Sequence, residues 1–199
     1  MTGKSKFERA IELIDEANAA DPNRELAESV EQAKELIYGR RMSAWLDRIH
    51  PGASEALRLA VRAQHLRRWA IPRNEFPMTR AGYHAWRTRL YRFHADEAGA
   101  LLVKAGYDTG TIARVQELLQ KKDLRINAET QALEDAACLV FIEYHLGEFA
   151  RRDDMDEEKL IGVIRKTWTK MSEAAHQAAL SLPIPDDLRA VVSKALAGN

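Results

Sequence analysis

Three of the six histidines in this 199-residue chain, His65, His84 and His94, fall within a stretch that also carries Arg67, Arg68, Arg73, Arg80, Arg87, Arg89 and Arg92. The only acid between residues 63 and 95 before Asp96 is Glu75. Imidazoles in such a setting are candidates for metal or proton chemistry. Guanidinium groups match the planar oxygens of phosphate or carboxylate, which makes Arg68, Arg73, Arg80 and Arg87 the candidate phosphate-binding residues. Acids that such a site would need come later, where Glu134 and Asp135 precede the apolar run AACLVFI. Whichever carboxylate points inward needs a cation or several donors, because an isolated buried charge is prohibitively costly. A plainer alternative stands beside each of these: a histidine satisfied by a backbone carbonyl, and a buried Asp–Arg pair that only organises the core. Cys138, inside the apolar run, reads as an inert core thiol.

Helices must position these residues, since the i, i+3, i+4, i+7 spacing recurs along the chain and period-two alternation is scarce. The spacing predicts a first helix over 7–20. A second begins at the cap pair Asp21-Pro22 and has Leu26, Val30, Ala33 and Ile37 on its buried face; Gly39 interrupts it before it runs on to Ile49. A third helix, over 53–69, delivers His65 near its C-terminal end. Pro72 and Pro77 make the next ten residues an arginine-bearing loop. Thr79 caps a long helix that stops at Gly106. It carries Tyr83, Trp86, Leu90 and Phe93 on one stripe and His84, Arg87, Tyr91 and His94 on the next. Further helices are expected over 111–122, 128–149 and 157–180, with a last one from Asp186. The fold expected is a single all-α domain over 1–199, a bundle of about seven or eight helices.

Composition narrows the classes of function. Apolar residues make up 46% and charged residues 30%, with 30 basic against 30 acidic side chains, an ordinary balance for a globular domain. Net neutrality argues against a general nucleic-acid coat, though a local patch can still bind a phosphorylated ligand. No apolar run approaches the roughly 18 residues of a membrane span. The acidic, helical N-terminus is no signal peptide, and a single cysteine permits no internal disulfide. A cytoplasmic location is the default expectation. No Gly-rich phosphate loop, nucleophile elbow or CxxC pair is present.

The segments QHLRRWAIPR (64–73), RAGYHAWR (80–87), FHA (93–95) and ETQALEDAACLVFIE (129–143) resemble the hallmarks of an uncharacterised family of bacteria and fungi, domain-of-unknown-function family 4202. More distantly, the order of features is similar to that of HD-domain metal-dependent phosphohydrolases. That second resemblance implies an HD-like core over 53–149 with flanking helices at 1–50 and 156–199. It makes His65 the first histidine, His84 or His94 the middle one, and Asp135 the late aspartate of a site for one divalent metal (Mn²⁺, Fe²⁺ or Zn²⁺). The departure is that no histidine here is followed directly by aspartate.

The leading expectation is a metal-dependent phosphohydrolase acting on a phosphorylated small molecule or nucleotide. Metal would sit on His65, His84, His94 and Asp135, with Glu134 as general base and the arginines on the phosphate. One alternative is a non-catalytic module for a phosphorylated ligand or RNA, and another is a helical interaction protein whose arginines only pair with acidic helices.

Overall fold

The computed structural model describes residues 3–27 and 29–197 of the chain. Side-chain caps set the starts of most helices. Ser5 and Glu8 form a reciprocal capping box ahead of α1 (Lys6–Ala19), satisfying backbone donors that a helix start leaves unpaired. Ser54 accepts from the Leu57 amide at α3 (Glu55–Arg62), Thr79 from Gly82 at α4 (Arg80–Ala105), and Asp108 from Thr111 at α5 (Thr109–Leu119). Asn127 does the same for α6 (Ala128–Val140) and Asp156 for α8 (Glu157–Trp168). Gly106, at φ +89°, closes α4 in the left-handed conformation that glycine adopts without strain.

The all-α expectation holds apart from one antiparallel hairpin. Strands β1 (Arg24–Ala27) and β2 (Val30–Ala33) pair with Leu26 opposite Glu31. The second predicted helix therefore starts late, as α2 (Lys34–Ile49). Asp21 is the reason. Its Oδ1 accepts from the Asn23 backbone and side-chain amides, and its Oδ2 from the Glu35 amide, so it closes a turn and caps α2 instead of starting a helix of its own. Leu26 and Val30, expected on a buried helical face, are exposed on the hairpin.

Two further helices differ from their expected lengths. The third ends at Arg62, so His65 sits in the turns beyond it. The helix expected over 157–180 breaks into α8 and α9 (Glu173–Leu180). Asp135 of α6 makes the break: its Oδ1 receives the Ser172 amide at 2.8 Å and its Oδ2 the Ser172 hydroxyl at 2.6 Å. Ser172 in turn caps α9 through the Ala175 amide. The helix expected over 128–149 is nearly continuous, but a π-turn over Phe141–His145 separates α6 from α7 (Leu146–Ala150). Such a turn inserts an extra residue and re-aims those after it.

Helices α1 to α6 and α9 share one core, in which Met42, Leu46, Leu59, Leu102, Leu118, Leu133 and Leu139 are fully buried. Burying each such side chain is worth about 1.5–3 kcal/mol. Leu146, Leu160, Ile164 and Leu188 form a smaller second cluster under α10 (Asp186–Leu196). Helices α2 and α3 meet closely at Gly39, where a Cβ would lie 2.9 Å from the Arg62 carbonyl oxygen. No described helix is long and apolar enough to cross a membrane.

Candidate functional site

On α2 an otherwise apolar stripe, Glu35–Tyr38–Met42–Trp45–Ile49, begins with an acid, and Glu35, Tyr38 and Met42 are all buried. After α3 the chain turns sharply through Arg67, which takes the left-handed conformation (φ +52°) and donates its amide to Asn18 Oδ1 at 2.9 Å. That conformation is costly for a residue with a side chain and persists only where neighbouring structure imposes it. The turn carries the His65 ring onto Tyr38, where the two stack with centroids 3.9 Å apart. His65 Nδ1 is 3.1 Å from Glu35 Oε2, and its Nε2 is 3.1 Å from Arg68 Nη1.

The tautomer follows from the donor inventory. A guanidinium only donates, so Nε2 accepts and Nδ1 carries the proton, which it donates to Glu35. Beside it, the His94 ring lies with its centroid 6.0 Å from that of His65. Its Nδ1 donates to the Leu66 carbonyl at 2.8 Å, while its Nε2 is buried without a partner among the described residues. Both imidazoles therefore hold an unprotonated Nε2 inside the protein.

Cations gather around this pair. Arg68 lies over the Trp86 ring, 4.7 Å from its centre, and Trp86 is fixed by its indole N–H to the Ile71 carbonyl at 2.9 Å. Arg87 donates to the hydroxyls of Tyr91 and Tyr83, each at 3.2 Å. Among the described residues, neither guanidinium has a carboxylate partner. Lys121 enters from the end of α5 in a left-handed conformation (φ +55°) and lies 5.8 Å from the centre of the Tyr91 ring. It pairs with Glu134, whose other oxygen is 3.6 Å from Lys170.

Electrostatics keep both imidazoles neutral and leave Glu35 part-ionised near neutral pH, with guanidinium groups beside them. Burial, then the positive charge of Arg68, holds the His65 imidazolium well below its ordinary value of 6.5. Burial takes His94 down to about 3, against the opposing pull of its bond to Leu66. Burial also lifts Glu35 to about 7, although Arg68 acts to lower it. Glu134 goes the other way: burial pushes it up, but Lys121, Lys170 and Arg87 outweigh that and hold it below the usual carboxylate range. The arrangement suits an anion, with a neutral, carboxylate-oriented base beside guanidinium and ammonium groups.

The structure thus gathers some of the residues the sequence singles out and separates others. His65, His94, Arg68 and Arg87 come together. His84 is exposed, against the edge of Tyr83; ten residues of helix put it about 15 Å along α4 from His94, too far to share an ion. Asp135 is buried, but both its oxygens serve Ser172 and Gln131, so it takes a structural part and not the ligand position given to it. Arg73 donates to the carbonyls of Phe76 and Pro77 and holds the loop, and Arg80 is exposed. Glu134 is held as a carboxylate that orients Lys121, a poor setting for a general base at neutral pH. Among the described residues no three His, Cys, Asp or Glu side chains form a ready metal cage. Sequence reasoning missed Glu35, Tyr38 and Lys121. The acid heading an apolar stripe was the signal for the first; Lys121 gave none.

No curated protein and no solved structure matches the chain. A family model described as "Domain of unknown function (DUF4202)" matches residues 8–192, nearly the whole length. With the hallmark segments spread from the turn after α3 to the π-turn, the chain belongs to that family.

Proposed function

We propose that the Glu35–His65–Arg68 cluster binds the phosphoryl group of a small molecule or nucleotide and hydrolyses it. The observation that carries this reading is the pair of guanidinium groups, Arg68 and Arg87, that lack a carboxylate partner among the described residues and stand beside an imidazole whose Nε2 is unprotonated. Arg68, Arg87 and Lys121 would hold the phosphate oxygens and offset the charge that develops on them. When Arg68 turns to the phosphate, its charge no longer depresses the basicity of His65, whose Nε2 takes a proton from water as that water's oxygen bonds to phosphorus; the P–O ester bond breaks, and the leaving oxygen takes up that proton from the imidazolium. Glu35, accepting from Nδ1, would balance the imidazolium that forms.

A metal-assisted form of the same reaction is favoured by one further observation. Metal-bound histidines usually donate their second N–H to a carboxylate or carbonyl, as His65 does to Glu35 and His94 to Leu66. A divalent ion (Mn²⁺, Fe²⁺ or Zn²⁺), if bound, would be held by His65 and His94, and it would supply Lewis-acid polarisation of a phosphoryl oxygen and acidify water in place of the imidazole base.

A thermal-shift screen of phosphorylated metabolites, each with and without divalent metals, is the first test, because ligands that bind only the native state raise the melting temperature. A hit should lose its shift in Arg68→Ala and keep it in His65→Gln, with turnover lost in both. Binding without turnover in the unaltered protein makes the site a non-catalytic module. Absence of any shift, or shifts indifferent to Arg68→Ala, overturns the assignment of the site. Elemental analysis of protein purified without chelator, compared with His94→Ala, separates the metal form from the metal-free one.

A further inference from the structure

Where the two cores meet there is a cavity of about 220 Å³, walled by Phe141, Leu146, Ile164, Trp168, Val192 and Leu196. An engineered apolar cavity of about 150 Å³ takes up benzene, so this one has room for a larger apolar body. It opens to solvent past Leu180, which is 52% exposed. The hydroxyls on its wall are engaged within their own helices: Thr167 Oγ1 donates to the Val163 carbonyl and Ser193 Oγ to the Arg189 carbonyl. The wall therefore offers an occupant little polar recognition beyond the Trp168 indole N–H and one charged group, the Arg189 guanidinium.

Arg189 is exposed at this cavity, with one Nη2 bond to the Ile184 carbonyl at 3.2 Å and Asp186 no closer than 3.9 Å. A guanidinium has five N–H donors, so most of this one's remain available. The Asp186 side chain is fully solvated, and an exposed pair of that length is worth little. One apolar volume with one cation at its edge matches a molecule with a hydrocarbon body and a single anionic head.

We propose that this cavity binds a medium-chain monocarboxylate, with its chain between α8 and α10 and its carboxylate on Arg189. The site shares no residue with the Glu35–His65–Arg68 cluster. Titration calorimetry with octanoate, and with 1-octanol as the uncharged control, tests the assignment on the full chain. Octanoate should bind at a single saturable site. Arg189→Gln should weaken octanoate by roughly tenfold, the worth of a charged hydrogen bond, and leave octanol unchanged. Val192→Phe, which fills the cavity, should weaken both, and Leu196→Phe replaces it if that variant loses its circular dichroism. Arg68→Ala should bind octanoate as the unaltered protein does, so failure here and failure of the phosphohydrolase reading are separate results. No saturable binding, binding indifferent to the filling variants, or equal weakening of octanoate and octanol by Arg189→Gln would overturn the proposal.

Discussion

Replacing Glu35 by glutamine should make the protein more stable at neutral pH while leaving its fold in place. Glu35 is 8% exposed, and burial lifts its carboxyl from 4.5 to about 7. The folded protein therefore keeps a proton that the unfolded chain releases across that window. Stability contributed by the protonated group is complete below 4.5 and is lost as pH rises through about 7. At about 1.36 kcal/mol per pH unit the loss is on the order of 3 kcal/mol. His65 acts in the opposite direction. Its folded pKa lies well below 6.5, so its contribution is complete above 6.5 and declines as pH falls below it. The glutamine variant keeps His65, and its amide oxygen can still accept from Nδ1, so the histidine largely cancels when the two proteins are compared. Urea unfolding at intervals from pH 4.5 to 8 gives the difference directly. Glu35→Gln should gain on the unaltered protein by about 3 kcal/mol between pH 4.5 and 7. A difference that stays flat across that range would show that Glu35 is not held in a desolvating site, and the reasoning about the cluster would fall with it.

Asp135→Ala should destabilise the fold by about 2–4 kcal/mol, because the half-buried Ser172 amide and hydroxyl lose their acceptor; a loss under about 1 kcal/mol in urea titration would refute the part given to this residue. Cys138 should resist a thiol reagent in the native protein and react at once in denaturant, since burial pushes its thiol up to about 12. Rapid native labelling would show that α6 is not packed as described. Gly82→Ala should loosen the loop ahead of α4, where an added Cβ would meet the Pro77 carbonyl oxygen at 2.0 Å. Faster proteolysis between residues 70 and 79 is the readout, and unchanged cleavage would count against that contact.

Where local chemistry decides an element, the sequence can be read directly. Thr79 and Gly106 bound α4 because a hydroxyl cap and a left-handed glycine act within a few residues. The break after α8 cannot be read that way. Its cause, Asp135, lies 37 residues earlier, and the residues around Ser172 keep helical spacing. The hairpin was hidden similarly, since Leu26, Val30 and Ala33 fit a helical period while Asp21 makes a cap that serves a different helix. Arg68, Arg87 and the two histidines were visible as residue types in one stretch. Their division into site and surface was not, because it depends on whether α4 turns a residue toward the turn that carries His65 or away from it. Lys121 reaches the cluster through an unusual backbone conformation, which composition does not encode.

The near-contact at Gly39 makes one hydrogen atom a gauge block for the whole centre. Glu35 rides on the same rigid rod one turn away, so the gap between that rod and the Arg62 carbonyl also sets how far its carboxylate stands from the imidazole. A methyl group there would act as a wedge, levering imidazole and carboxylate apart without altering either residue. The tolerance of the centre is thus written into a position that no inspection of its lining would single out.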